Sequence, residues 1–399
     1  MPLEALLLGA SLFLVASAGN ILTPLLPLVQ GEFNVDYTTA GALVSAYGLA
    51  RLSLDLPAGF LEERLGVRVL AAVGFALGLA GGVLAAVGPR FELVVVGRIG
   101  MGLGASLVAL VVLTTLSKLS TSENRTRMLS AYAVANNSAI AFFPIVGGLV
   151  GAWWGWRAAA WISAGLTCVG AAILAWVLPR VNEQRRAAKQ PVGPERDFKL
   201  DVRTLLSIGT IYFGVILYMV NRHGFRNTAL PLFAHDRLGL DTLSVASGIT
   251  TMAVVGLLVA IPGAIVADRW NRRLVIAIGF VVLALGDFSF LGANNYLSFL
   301  LASFLLGFGD FFSASQTSAL AELVPARLRS RMLGGYRFFV DLGATIGPVL
   351  VAGLLQFTGY EPMILILSGL LLVAALAAFI GAQATGAQRR AEVAPAASG

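Results

Sequence analysis

The stretch Pro57-Ala-Gly-Phe-Leu-Glu-Glu-Arg-Leu-Gly-Val-Arg-Val-Leu70 interrupts the hydrophobicity of the chain. A long apolar run ends at Pro57-Ala58-Gly59, charged and turn-forming positions follow, and a second apolar run starts at once. Two apolar runs joined by so short a charged turn predict neighbouring helices that meet at one membrane surface. A near-copy, PGAIVADRWNRRLVI, begins at Pro262. Pro57 and Pro262, Glu63 and Asp268, Arg64 and Arg269, and Arg68 and Arg273 are each 205 residues apart. A charged turn repeated at half the chain length predicts two homologous halves.

Composition agrees with a membrane chain. Of 399 residues, 57% are hydrophobic and only 12% charged, and the mean hydropathy is +0.83, whereas soluble domains carry roughly 25% charge. A helix needs ~20 apolar residues to cross the hydrocarbon, which leaves room here for about twelve. The 45 glycines fit the same class, because small residues let helices approach where hydrophobicity cannot drive them together. The lone Cys168 excludes a disulfide within the chain and a cysteine-based metal site. The start of the chain lacks a basic segment ahead of its apolar run, and that run is long enough to span, so no cleavable signal peptide is expected.

Hydropathy places spans near 6–28, 38–61, 69–88, 92–117, 128–151 and 157–178, and again near 205–233, 242–267, 274–293, 296–321, 332–356 and 361–384. The expected organisation is an all-α membrane protein with two pseudo-symmetric six-helix bundles, 1–178 and 204–384. A polar linker, 179–203, joins them, and a disordered tail, 385–399, follows. Lys and Arg settle orientation. Twenty of the 28 fall in loops on the linker side, three (Arg90, Arg157 and Arg237) on the opposite side, and five within spans. The positive-inside rule therefore predicts a cytoplasmic linker, cytoplasmic termini and cytoplasmic charged turns, in a cell inner membrane. The formal charge of +7 is mostly topology, not a nucleic-acid site. A second repeat supports the halves: RMLSAY starts at Arg127 and RMLGGY at Arg331, and the same 204-residue offset sets Pro144 against Pro348 and Asn137 against Asp341.

These residues carry a family resemblance. Gly59-Phe-Leu-Glu-Glu63-Arg64-Leu-Gly66-Val-Arg68 resembles the major facilitator loop motif G-x-L-a-D-R-x-G-R-R/K, with Glu63 for Asp and Val67 for the first closing Arg. The second copy keeps Asp268, Arg269, Arg272 and Arg273. Arg98-Ile-Gly100-Met-Gly102-Leu-Gly104 is similar to the fourth-helix motif whose Arg is associated with proton coupling. Phe143-Pro144-Ile-Val-Gly147-Gly148 resembles the antiporter motif G-P-x-x-G-G without its first Gly, and Gly343 with Gly347-Pro348 is a cleaner version. Gly19-Asn20-Ile-Leu-Thr-Pro24-Leu-Leu-Pro27 looks like the start of twelve-helix drug/proton antiporters. The resemblance covers essentially the whole chain. It implies two bundles around a cavity that opens alternately to each side, with Glu63, Arg64 and Arg68 in a cytoplasmic latch whose expected partners are Arg125, Arg127 or Arg331.

Charges inside a membrane need a reason, since each costs ~2.5–3.5 kcal/mol on insertion scales. Arg51 with Asp55, and Arg337 with Asp341, recur at i, i+4. One reading is that each pair neutralises itself on its own helix. The other uses depth: at 1.5 Å per residue Asp55 and Arg337 lie about 12 Å from the cytoplasmic edge, and Arg51 and Asp341 about 18 Å. In the family the second and eleventh helices face each other, so two crossed bridges, Asp55 to Arg337 and Arg51 to Asp341, would close the cytoplasmic side. Arg98 is either a packing anchor bonded to nearby carbonyls or a coupling residue. Arg222, His223 and Arg226, with Asn221 and Asn227, are either a cavity site for an anionic group or an outer-vestibule cluster. Asp310, near mid-depth, is a second proton-site candidate, and Asp287 in the peripheral ninth helix is read as structural. Asn20, Asn136, Asn137, Arg222, Arg226, Gln316 and Tyr336 are the expected cavity residues.

The leading expectation is a proton-coupled exporter of small amphipathic compounds, working as a monomer in the bilayer with protons and substrate as partners. Uptake of an organic anion is the alternative within transport. A non-transporting membrane sensor on the same scaffold is the alternative of a different class. An enzyme is not expected, since no metal spacing, nucleotide loop or nucleophile with a partner His is present in the sequence, and no cofactor is implied.

Overall fold

The computed structural model describes residues 3–55, 57–119, 125–182, 202–324 and 326–393. The side chains of Asp55, Glu63, Arg125, Arg127 and Arg331 lie outside what the structure describes, as does most of the expected linker. Every regular element among the described residues is helical. Hydrocarbon offers no water to a backbone N–H or C=O, and a helix satisfies both within its own segment.

Among the described residues, ten helical stretches are long and apolar enough to cross a membrane. One of them, Val134–Pro179, lies within the helix Arg125–Asn182, which turns at Gly155 and so holds two spans. The helix Tyr37–Asp55 completes the twelve and is more polar than the rest, carrying Arg51 and Asp55. In order the spans are Leu3–Phe33, Tyr37–Asp55, Arg64–Val87, Phe91–Ser117 and the two parts of Arg125–Asn182. Then come Thr204–Asp236, Thr242–Arg269, Arg272–Gly292, Tyr296–Leu320, Met332–Thr358 and Tyr360–Gly381. The last helix continues to Val393, so residues 385–393, expected to be disordered, are helical.

Local chemistry sets the breaks. In the first span Pro24 and Pro27 fall at a 3-10 turn, Thr23–Leu25, between two helical parts, because proline cannot donate to the turn before it. Asn34 ends that span in the left-handed conformation (φ 49°), which Asn tolerates better than most residues. Asp36 opens the second span by accepting the Thr39 N–H at 2.7 Å, and the Thr39 hydrogen bonds hold its carboxyl below the ordinary value. The charged turn bends at Gly66 (φ 73°) and the fifth-to-sixth corner at Gly155 (φ 78°), where a Cβ is strained. A Gly155→Ala protein is expected to lose about 1–2 kcal/mol, read as a lower thermal unfolding midpoint.

The first six spans form one bundle and the last six a second. The first span packs on the sixth and the third on the fourth; in the second half the eighth packs on the tenth and the ninth on the twelfth. Across the halves, the second span packs on the eleventh and the fifth on the eighth, two contacts that the pseudo-twofold exchanges. Both rest on glycine. A Cβ on Gly41 would lie 2.7 Å from the Pro348 carbonyl oxygen, and one on Gly148 would lie 2.3 Å from the Ala246 Cβ. These contacts lie toward the far face, the side opposite the linker.

Polar residues tie the far face shut. The Asp236 carboxylate, at the end of the seventh span, accepts Tyr37 Oη at 2.7 Å and Tyr360 Oη at 2.8 Å. The Tyr37 N–H donates to Gln356 Oε1 at 3.0 Å. Within each half, one ion pair clamps first span to last. Arg157 Nη2 meets Glu32 Oε1 at 2.6 Å, and Arg237 Nη2 meets Glu361 Oε1 at 2.8 Å. Glu32 and Arg237 are 205 residues apart and Arg157 and Glu361 are 204, so the same clamp occurs twice with its signs exchanged.

At the linker face the second copy of the charged turn is closed on its own half. Arg272 pairs with Asp268 at 2.6 Å and with Glu322 at the end of the tenth span, while Arg273 Nη1 donates to the Gly381 carbonyl at 2.6 Å. In the first copy Thr114 Oγ1 donates to Glu62 Oε2 at 3.0 Å, and the Arg64 guanidinium lies 4.2 Å over the Phe60 ring. Arg68 and Arg269 are exposed.

Candidate functional site

The seventh span is not a plain helix. Val220–Ala229 winds as a π-helix, a rare local widening that recurs at functional sites. Thr228 Oγ1 donates to the His223 carbonyl at 2.9 Å, satisfying one backbone group in the widened turns. The extra residue per turn rotates Asn221 and Arg226 into the second bundle, while Arg222 stays at the wall between the bundles.

A continuous polar chain results. Arg226 Nη1 and Nη2 donate to Asp310 Oδ2 and Oδ1 at 2.8 and 3.0 Å, a two-point contact. Both side chains are buried. Charge-assisted paired hydrogen bonds of this kind are about twice as strong as neutral ones. On one side, Tyr218 Oη donates to Asp310 Oδ1 at 3.0 Å and accepts Arg222 Nη1 at 3.0 Å. On the other, Arg226 Nε donates to Asn221 Oδ1 at 3.2 Å, and Asn221 Nδ2 donates to Asp287 Oδ2 at 2.6 Å. Asp287 Oδ1 is buried without a hydrogen-bond partner among the described residues. The chain thus runs Arg222, Tyr218, Asp310, Arg226, Asn221, Asp287, and joins the seventh, ninth and tenth spans.

This chain forms part of the wall of a narrow cavity shared by the two bundles. The first bundle contributes Asn20, Thr23, Ile140 and Pro144, and the second contributes Arg222, Arg226, Asn227, Ile249, Met252, Ala253 and Asp310. Six of these eleven residues are polar or charged and five are apolar, so polar groups that can orient a ligand converge on an apolar floor. The far-face contacts lie beyond it. Toward the linker face, Asn137 and Arg337 are exposed.

Of the sequence candidates, Asn20, Arg222, Arg226 and Asp310 come together here. Asn20 Nδ2 also bonds the Ala16 carbonyl at 2.8 Å. Gln316 and Tyr336 do not join them. Tyr336 Oη donates to Gln316 Oε1 at 3.2 Å, and Gln316 faces a separate pocket with Thr210, Arg273 and Phe280. Asn136 and Asn137 sit further along the fifth span, outside the cavity lining. Asp287, read as structural, terminates the polar chain. Arg98 is buried in the first bundle, bonds the Gly19 carbonyl at 3.2 Å and lies 4.8 Å over the Tyr47 ring. It holds the first span where that span bends toward Asn20. Neither Arg337 nor Asp341 has an ion pair among the described residues, and the Asp55 side chain lies outside them. Sequence reasoning missed Tyr218, one turn before Arg222, where the signal was a tyrosine placed four residues ahead of a membrane arginine.

Comparison with known proteins adds an independent line. The family model described as Major Facilitator Superfamily matches residues 8–261 and 211–397. The inner membrane transport protein YajR of Escherichia coli (strain K12) is 25% identical over 315 residues, 77% of this chain and 67% of that protein. An uncharacterized MFS-type transporter YcaD of Salmonella enteritidis is 27% identical over 89% of both chains. Multidrug resistance protein 1 of Bacillus subtilis is 21% identical over 86% of this chain and 87% of that one. Among solved structures, the peptide transporter POT in complex with sulfate superposes with a TM-score of 0.76 at 14% identity, over 95% of this chain and 94% of that one. A POT family transporter in complex with 5-aminolevulinic acid gives 0.76 at 13% identity over 95% and 96%. At such identities the structural likeness speaks to fold.

Proposed function

From a chain that belongs to the major facilitator superfamily, and is therefore a multi-pass membrane transporter of the secondary class and not an enzyme, we propose a proton-coupled exporter of small amphipathic compounds. The observation that carries this reading is the buried Asp310–Arg226 pair on the wall of a cavity between the bundles. The similarity to a multidrug resistance protein supports export.

A carboxylate held by two guanidinium donors and a phenol is a switchable element. Adding a proton to Asp310 removes its charge and one acceptor site, so the two-point contact loosens and Arg226 keeps its charge inside the bundle. A packing that pays for that stray charge then gains on the present one, and the equilibrium shifts. Closure of the far face by Tyr37, Asp236 and Tyr360 gives one end state. The crossed bridges Asp55 to Arg337 and Arg51 to Asp341 belong to the other. The Lys and Arg distribution supports a cytoplasmic linker and cytoplasmic termini in the inner membrane, and in this reading the protein works as a monomer with residues 179–203 joining its bundles.

Proteoliposomes with an entrapped pH dye test this. Under an imposed gradient, amphipathic compounds that evoke proton release mark an antiporter. Proton entry together with compound marks uptake, and no proton movement with any transported compound overturns proton coupling.

A further inference from the structure

We infer that Arg222 is the recognition point for a carboxylate on the transported compound, so the substrates are amphipathic organic anions. The inference rests on transport through the cavity just described and names what that cavity selects.

Charge accounting leads to it. Two guanidinium groups lie on the cavity wall, Arg222 and Arg226, and one carboxylate, Asp310. Arg226 takes both oxygens of that carboxylate. Arg222 has no carboxylate within ion-pair distance among the described residues, and its hydrogen bond there goes to the neutral Tyr218 hydroxyl. Asp287 lies behind Asn221, away from the lining. Among the lining residues alone there is one positive charge in excess, and its balance in the polar chain, Asp287, lies behind the wall where a ligand does not reach. His223 adds no counter-charge, and Arg51 of the second span lies within coulombic reach of it, as do Arg222 and Arg226.

Arg222 is partly buried, and a partly desolvated charge without a directly paired carboxylate costs free energy. A substrate carboxylate removes that cost and accepts the donors of the guanidinium that Tyr218 leaves unused, in the two-point geometry that Arg suits. The Tyr218 hydrogen bond anchors one corner of the guanidinium before the ligand arrives. The remaining lining fits the rest of such a molecule: Ile140, Pro144, Ile249, Met252 and Ala253 offer an apolar bed, and Asn20 and Asn227 offer neutral polar groups. A cationic compound, by contrast, meets a wall whose carboxylate is already held by Arg226.

The test uses the purified full chain in detergent, with benzoate, phenylacetate and naphthoate each set against its neutral amide. Ligand-induced thermal shifts are read for the wild type, Arg222→Gln, Arg222→Lys and Arg157→Gln, the last as a remote control. Carboxylates are expected to stabilise the wild type and the control while the amides do not. Arg222→Gln should weaken carboxylate binding about tenfold or more, the size expected for losing a hydrogen bond to a charged group. Arg222→Lys should retain part of it. Equal shifts from amides, no shift from any carboxylate, or an undiminished response in Arg222→Gln overturns the inference. If the Gln variant does not fold, the Lys variant and the wild-type contrast decide. Carboxylate binding without proton movement in proteoliposomes sinks only the proton-coupled export. Proton-coupled movement of neutral or cationic compounds that survives Arg222→Gln sinks only the anion selectivity.

Discussion

An Asp310→Asn protein is expected to lose gradient-driven transport entirely while keeping exchange of substrate for substrate. The amide nearly matches the carboxylate in shape, so its oxygen still accepts from Arg226, but it holds no charge and takes up no proton. Transport that depends on proton movement then has no carrier, whereas exchange needs only the cavity and the rocking of the bundles. The change also leaves Arg226 buried and unbalanced, and breaking a buried pair by removing one partner typically costs about 3–5 kcal/mol. A lower unfolding midpoint should therefore accompany the transport defect. Combining Asp310→Asn with Arg226→Gln should recover much of that midpoint without recovering uphill transport. Counterflow and gradient-driven uptake into proteoliposomes at several pH values separate these outcomes. Wild-type uphill rates in Asp310→Asn would remove this carboxylate from the coupling mechanism.

The second large effect is conformational. At Gly148 a Cβ would lie 2.3 Å from the Ala246 Cβ and 3.0 Å from the Thr242 carbonyl oxygen, so a Gly148→Leu side chain has no room while the far face is closed. Each bundle keeps its own packing, because the obstruction lies between them. The expected result is a folded protein held open on the far face, with transport reduced at least a hundredfold, since shifting a two-state equilibrium from 1:99 to 99:1 takes about 5.5 kcal/mol and steric overlap of this size supplies that order of energy. Distances between spin labels on the far ends of the second and eleventh spans should lengthen relative to wild type. Unchanged distances with normal transport would show that the fifth and eighth spans need not touch.

Much of the fold was legible because its causes are local in sequence. Apolar runs of about twenty residues announce spans, and a charged turn repeated 205 residues apart announces the duplication. The site was legible only as single residues. Arg226 and Asp310 both stood out as charges in apolar spans, yet 84 positions separate them, and whether two helices turn those positions toward each other depends on rotation about each axis. The π-helix at Val220–Ala229 shifts that rotation from the regular 100° per residue, and a 3-10 turn at Gly309–Phe312 shifts it again in the tenth span. Gln316, beyond that turn, lines a separate pocket and not the cavity between the bundles. Asp287 was set aside because its helix is peripheral, and only the Asn221 side chain reaching across reveals its place in the polar chain. The proposed crossed bridges would form in only one end state, and no sequence pattern encodes which end state the protein occupies.

The two far-face clamps bear on how the chain assembles. Two similar bundles synthesised in one membrane offer each first helix a choice of last helix, its own or that of the other half. Because Glu32 pairs with Arg157 but Arg237 pairs with Glu361, the wrong choice sets Glu32 against Glu361 and Arg157 against Arg237. Like charges then meet at both corners. The exchanged signs act as an address that sorts helices holding equivalent places in the two halves. Making the clamps alike, by giving the second the signs of the first, would erase that address while leaving every correct pair intact.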